Sequence, residues 1–303
     1  MSNGRTLALD HLPVELLYDI YTFSLSPSLP LTCKYLHAVF KSAPATLHAE
    51  YLIRCYEDAA ANSASVRALG LISKVLRYPI CTRQVLEAVL RSPECPYIPP
   101  RNDPQRRPTI LPRHLFRNLA PRDLPGQRPW TEYDEPLPFL GFLYNDPRIP
   151  PPASDSHDGY ALTRAVYAGF TPLVRFLLEN DASPACRGNL AVTVAIRRKS
   201  LSLVRMLIER DGPGASDEPK MRGSKKRKLS AMEDGENEGA DMQVAVGSGK
   251  RRGTKRRKLG DRVLVNPEML KAAVKCNAHD IAEYLMREKG CVPDMQTVLM
   301  MGR

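Results

Sequence analysis

The residues of this chain best suited to chemistry are seven cysteines, six histidines and two short runs of lysine and arginine. The cysteines (33, 55, 81, 95, 186, 276 and 291) contain no C-x-x-C pair, and the histidines (11, 37, 48, 114, 157 and 279) lie apart. Neither set has the spacing that a zinc site draws on, alone or combined. No G-x-x-x-x-G-K-S/T, H-E-x-x-H or G-x-S-x-G is present, so phosphate-cradling, zinc-protease and serine-hydrolase chemistry have no footing. An odd, scattered set of thiols reads as reduced cysteines of an intracellular protein. The expectation is a protein that is not an enzyme and holds no metal or cofactor.

What remains is charge. Lys225-Lys226-Arg227-Lys228 and Lys255-Arg256-Arg257-Lys258 lie in near-duplicate stretches that both end in Leu. Residues 211–262 hold 14 Lys/Arg and 9 Asp/Glu, which is +5 of the chain's net +11. Short basic runs on a flexible chain suit the acidic grooves of import receptors. That predicts a nuclear protein, shuttling with the cytoplasm. Two other readings stay open: non-specific contact with nucleic-acid phosphates, and a solubilising loop. Ser230 stands three residues before Glu233, and Thr254 follows Arg251-Arg252. Both are candidate phosphorylation sites, where added negative charge would weaken capture by an acidic receptor.

The elements carrying these residues are helical in pattern. Residues 211–262 are polar and Gly-rich with no helical period, so a disordered insert is expected there. At the N-terminus, Leu12, Leu16 and Ile20 recur at i, i+4 and i+8, and Leu17 widens the stripe. Pro13 suits a first helical turn. Ser24 to Pro30 breaks the pattern, a second helix should carry Leu31, Cys33, Leu36 and Phe40, and a third should fall around Leu47 to Tyr56.

Leu12, Pro13, Glu15, Leu16, Leu17 and Ile20, followed by Leu31-Thr32-Cys33-Lys34-Tyr35-Leu36, resemble the F-box over roughly residues 8–53. The resemblance implies that Leu12, Pro13, Leu16, Leu17, Ile20, Leu31, Cys33 and Leu36 pack against the adaptor subunit of a cullin–RING (SCF-type) ubiquitin ligase. The Trp usual near the end of that module is absent, with Tyr51 or Tyr56 in its neighbourhood. The competing reading is an amphipathic helix that buries the same leucines internally.

The C-terminal half repeats itself. Asp158-Gly159, Ala165, Gly169, Leu173-Val174 and Phe176-Leu177-Leu178 resemble the ankyrin pattern, with its Thr-Pro-Leu-His tetrad drifted to Tyr160-Ala161-Leu162-Thr163. A second copy lies 30 residues on, with Ala195, Lys199, Leu203-Val204 and Met206-Leu207-Ile208. A third places Leu270, Ala273, Asn277, Ile281-Ala282 and Tyr284-Leu285-Met286 in the same relative positions. A small Ala lets neighbouring helices approach, and Gly169 or Asn277 tolerates a positive φ where the first helix stops. About three such units are needed for stability. Weaker echoes are Val85 to Leu90 and Pro138 to Asp146, and Val298 to Met301 is placed to begin a cap. Residues 93–152 hold 16 of the 27 prolines; they should be extended, draped over the repeats or loose.

The predicted fold class is therefore all-α. The expected order is an F-box-like module at 8–56, a helical linker or degenerate cap at 57–92, and a Pro-rich connector at 93–156 with a degenerate repeat near 138–146. Two ankyrin repeats follow at 157–210, then the basic insert at 211–262, and a third repeat with a cap at 263–303. The arrangement resembles fungal F-box proteins with C-terminal ankyrin repeats. It implies a monomeric adaptor that binds a ligase adaptor subunit, a client protein and an import receptor. The alternative is a nuclear ankyrin scaffold whose N-terminal helices merely cap the array. No run approaches 18 apolar residues, so no membrane partner is expected.

Overall fold

The computed structural model describes residues 9–99, 107–122, 126–210 and 260–301. Helices take up 61% of it and strands 2%, so the chain is all-α.

Helix α1 (Val14–Ser24) starts after Pro13 and stops at Leu25, whose φ of 50° ends the right-handed turn. A 3₁₀ turn over Leu29–Leu31 leads to α2 (Lys34–Lys41), capped by Cys33, and α3 (Ala45–Asn62) starts after Pro44. The second helix was expected to include Leu31 and Cys33. It starts later because the Cys33 thiol accepts the Leu36 amide at 3.4 Å, the geometry of a cap outside the helix. Next come α4 (Ala64–Leu69), α5 (Leu71–Val75) and α6 (Arg83–Arg91). The α3 and α6 faces meet around Leu52, Ile53, Leu86 and Val89, all fully buried.

The described parts of the Pro-rich connector pack against the helices. Strand β1 (Thr109–Ile110) precedes α7 (His114–Arg117) and α8 (Leu137–Asn145), and β2 (Pro152–Ala153) pairs with β1 in parallel. Pro136 and Pro138 occupy the start of α8, where a missing N–H leaves no gap in the hydrogen-bond ladder. Leu111, Phe116, Leu119 and Ile149 are buried. A chain with so few ladder bonds needs side chains to satisfy its polar backbone. Helix α9 (Ser156–Ala168) supplies one: Arg164 donates to the carbonyls of Phe116 (3.4 Å), Arg117 (2.7 Å) and Leu119 (2.6 Å). Trp130 stacks on Phe170 with centroids 4.6 Å apart, donates to the Ala168 carbonyl at 3.1 Å, and carries the Arg122 guanidinium 3.3 Å from its ring centroid.

Helices α9 and α10 (Thr171–Glu179), then α11 (Cys186–Arg197) and α12 (Leu201–Ile208), form two antiparallel pairs. A third pair consists of α13 (Pro267–Lys275) and α14 (His279–Glu283), prolonged by a π turn over Tyr284–Glu288. Along one layer α9 packs on α11 and α11 on α13. Ala165, Ala195 and Ala273 sit in these seams with no exposed surface. Four residues beyond each, Gly169, Lys199 and Asn277 have φ of 70°, 54° and 52°. The same alanine carbonyls accept the amides of Phe170 (3.0 Å), Ser200 (3.3 Å) and Ala278 (3.0 Å). Three separate segments thus end their first helix with one geometry.

The entries differ. His157, Asp158 and Gly159 form a left-handed turn, as do Arg187, Gly188 and Asn189. Pro267 cannot adopt a positive φ, and α13 instead starts on Asn266, whose carboxamide accepts the Met269 amide at 3.0 Å. A Cβ on Gly159 would lie 2.8 Å from Cys186 Cβ, so this turn needs glycine.

Residues 260–262, expected within the insert, are described. Asp261 and Arg262 belong to the folded body: the Arg262 amide donates to Ile208 at 2.7 Å and its guanidinium to Leu178 (3.1 Å) and Glu209 (3.2 Å). Lys289 adds ion pairs to Asp261 (2.8 Å) and Glu209 (3.2 Å). Helix α15 (Met295–Met301) lies against α13 and buries Thr297, while Met295 and Leu299 stay exposed.

Two outcomes are expected. Ala195→Leu forces extra volume into a closed seam and should destabilise the chain by about 1–3 kcal/mol, read as a lower melting temperature. The second concerns Asp134, which accepts from the Thr131 amide (2.7 Å) and hydroxyl (2.8 Å) and pairs with Arg122 and Arg128. The Thr131 bonds lead in holding its carboxyl down to about 2, from 3.8. A lowered carboxyl pKa stabilises the fold above pH 3.8, and that contribution is lost as pH falls through about 2. Trp130 is the single tryptophan, so its emission should shift to the red across that window, and Asp134→Asn should remove the step.

Candidate functional site

The N-terminal helices contribute an aromatic cluster to the one hydrophobic core that runs through the described residues, and leave a strip of exposed apolar side chains outside it. Tyr21 from α1 is sandwiched between Phe40 of α2 (centroids 4.6 Å) and Tyr51 of α3 (4.1 Å), with His48 edge-on at 6.4 Å. Leu17 and Leu36 close the same cluster at 1% and 2% exposure. Burial pushes the Tyr21 and Tyr51 hydroxyls and the Cys55 thiol up, and lowers His48. Tyr78, from the loop after α5, is pushed up to about 12, again chiefly by burial. Each of these groups stays uncharged near neutral pH, as an apolar core requires. Tyr51 is thus a core residue, and Tyr56 is half-buried against it.

The outer strip is a set of exposed apolar side chains: Leu16 and Phe23 on one face of α1, Leu31 from the 3₁₀ turn and Tyr35 from α2, with Leu9 and Val14 exposed at the start of α1. Phe23 and Leu31 are 72% and 75% exposed, far beyond a chance half-buried side chain. The Arg54 guanidinium lies 4.8 Å from the Phe23 ring centroid and covers only part of it.

Of the eight residues singled out from the sequence, Leu16 and Leu31 lie in this strip, and Pro13 is exposed where α1 begins. Leu12 and Ile20 are half-buried at its border. Leu17 and Leu36 are not available to a partner. They fill the module's interior because the helix period turns them toward Tyr21. Cys33 is exposed and serves as a cap. Phe23 and Tyr35 were missed, although Leu16 and Phe23 stand seven residues apart, two helical turns on one face.

The two basic runs, with Lys225 to Lys228 and Lys255 to Lys258, and Ser230 and Thr254, lie outside the described residues. All seven cysteines are free thiols, with Cys55 and Cys81 buried. Among the described residues, no group of three or more His, Cys, Asp or Glu is placed to hold a metal ion, and no helix is long and apolar enough to cross a membrane. The chain matches no family model, no curated protein and no solved structure.

Core and strip should separate cleanly in stability. Leu17→Ala is expected to cost about 2–5 kcal/mol. Leu16→Ala on the exposed side should stay within about 0.5 kcal/mol. Urea unfolding of both variants checks the assignment.

Proposed function

We propose that this chain is a non-catalytic adaptor: an F-box-like module docks the adaptor subunit of a cullin–RING ubiquitin ligase, and ankyrin-like helix pairs hold a client protein. One observation carries the reading. Tyr21, Phe40 and Tyr51 stack inside the N-terminal helices, yet Leu16, Phe23, Leu31 and Tyr35 remain outside that stack and in solvent. Helices that only capped the array would bury that strip against it. Several exposed apolar groups on neighbouring helices suit a helix-in-groove partner. Each anchor adds about 1.5–3 kcal/mol when fully buried.

The helix pairs support the second half. They share an alanine seam, a left-handed stop and the same carbonyl-to-amide closure, the regularity expected of stacked repeats. No reaction chemistry is needed for such a role. The contribution is proximity and orientation of a bound client. The basic runs at 225–228 and 255–258 complete the reading by addressing the chain to the nucleus.

The decisive variant is Leu16→Asp/Leu31→Asp. Both side chains are exposed, so the melting temperature should hold while co-purification with the ligase adaptor subunit is lost. A double variant that still co-purifies sinks the ligase half. One that unfolds sinks the claim that the strip is free, and favours the capping role.

A further inference from the structure

Two arginines and a histidine meet where nothing in the adaptor reading requires them. Arg77 follows α5, Arg113 precedes α7 and His157 opens α9, and together they line a cleft of about 430 Å³ with Ile110 and Pro112. The segments are far apart in sequence, so their convergence is a product of the fold. No carboxylate lines the cleft. Among the described residues neither arginine has a carboxylate within salt-bridge distance.

The nearby acids are engaged elsewhere. Asp158 pairs with Arg187 at 3.5 Å and is 70% exposed, and the Asp155 carboxylate accepts the Ser183 amide at 2.8 Å. Burial first, and then the charges of Arg113 and Arg77, lower the His157 pKa, while Asp158 opposes them weakly. Like charges gathered without a counter-ion repel one another, and an anion entering between them would relieve that repulsion. The Arg113 guanidinium lies 5.6 Å from the Tyr160 ring centroid, which steadies it.

We propose that Arg77, Arg113 and His157 form a binding site for a phosphomonoester. Guanidinium forks match the geometry of phosphate oxygens, and two of them can share one dianion. His157, also lining the cleft, carries a ring N–H donor for a phosphate oxygen. Ile110 and Pro112 offer an apolar wall to the organic group of an ester, and the cleft is roomier than a bare phosphate ion requires.

The test is calorimetric titration of the full chain at low salt with phenyl phosphate, benzoate and inorganic phosphate. Saturable binding of phenyl phosphate is expected, tighter than for the other two. Arg77→Gln and Arg113→Gln should each weaken it by ~10-fold or more, as loss of a charged hydrogen bond does. Both arginines are exposed, so unchanged melting should accompany the loss, and Arg77→Lys should restore part of the affinity. A phosphotyrosine peptide that binds more tightly than phenyl phosphate assigns the ester to a protein side chain, and equal affinity assigns it to a small molecule. No saturable binding, equal binding of benzoate or of inorganic phosphate, or full affinity in an Arg77→Gln/Arg113→Gln variant overturns the site.

Discussion

One alanine that recurs at the same place in α9, α11 and α13 governs the C-terminal half. Ala165, Ala195 and Ala273 set how closely these helices approach, since interaxial distance follows the size of the side chains in the contact. The same residues close their own helices, because each alanine carbonyl accepts the amide five residues on. One position thus fixes spacing and helix length together. In the paired helices, Leu173, Leu203 and Ile281 are buried at equivalent positions. The left-handed stop is glycine in one copy, lysine in another and asparagine in the third. The conformation persists while the residue best suited to it does not.

Irregular segments are fastened to this frame by polar side chains in place of backbone ladders. The connector has two residues of strand pairing on either side. Two further backbone amides find side chains: Ser73 accepts the Ile110 amide at 3.1 Å, and Ser156 accepts that of Leu111 at 3.0 Å. Arg164 and Trp130 complete the attachment. Around 210 and 260, Arg262, Glu209, Tyr284 and Lys289 do the same work through the Arg262 amide, a phenol hydrogen bond and two ion pairs. The third helix pair is joined to the second by that cluster and by the α11–α13 seam. These contacts bring the second and third pairs together although 49 residues separate Arg210 from Gly260 in the sequence.

The N-terminal module shows where pattern reading stops. Leu16 and Leu17 are adjacent and chemically identical, and both belong to the apolar stripe. One is 47% exposed and the other 1%. Periodicity marks a broad face, but which edge of that face is covered depends on where α2 and α3 lie. The aromatic stack of Tyr21, Phe40 and Tyr51 decides it, drawing Leu17 inward and leaving Leu16 beside Phe23. Cys33 shows the same limit: its place in the signature suggested a packing residue, and the chain uses its sulfur to cap a helix.

By itself the sequence determined the all-α class, the three offset copies with their alanines and left-handed stops, and the concentration of basic charge at 211–262. These are local properties: helix period, side-chain size and tolerance of positive φ act within a few residues of one another. Tertiary structure alone decided which leucines of α1 face solvent, how the proline-rich connector is held, and that Asp261 and Arg262 belong to the folded body. It alone brought Arg77, Arg113 and His157 into one cleft. Each of these depends on groups tens of residues apart meeting in space, and no spacing along the chain encodes that distance.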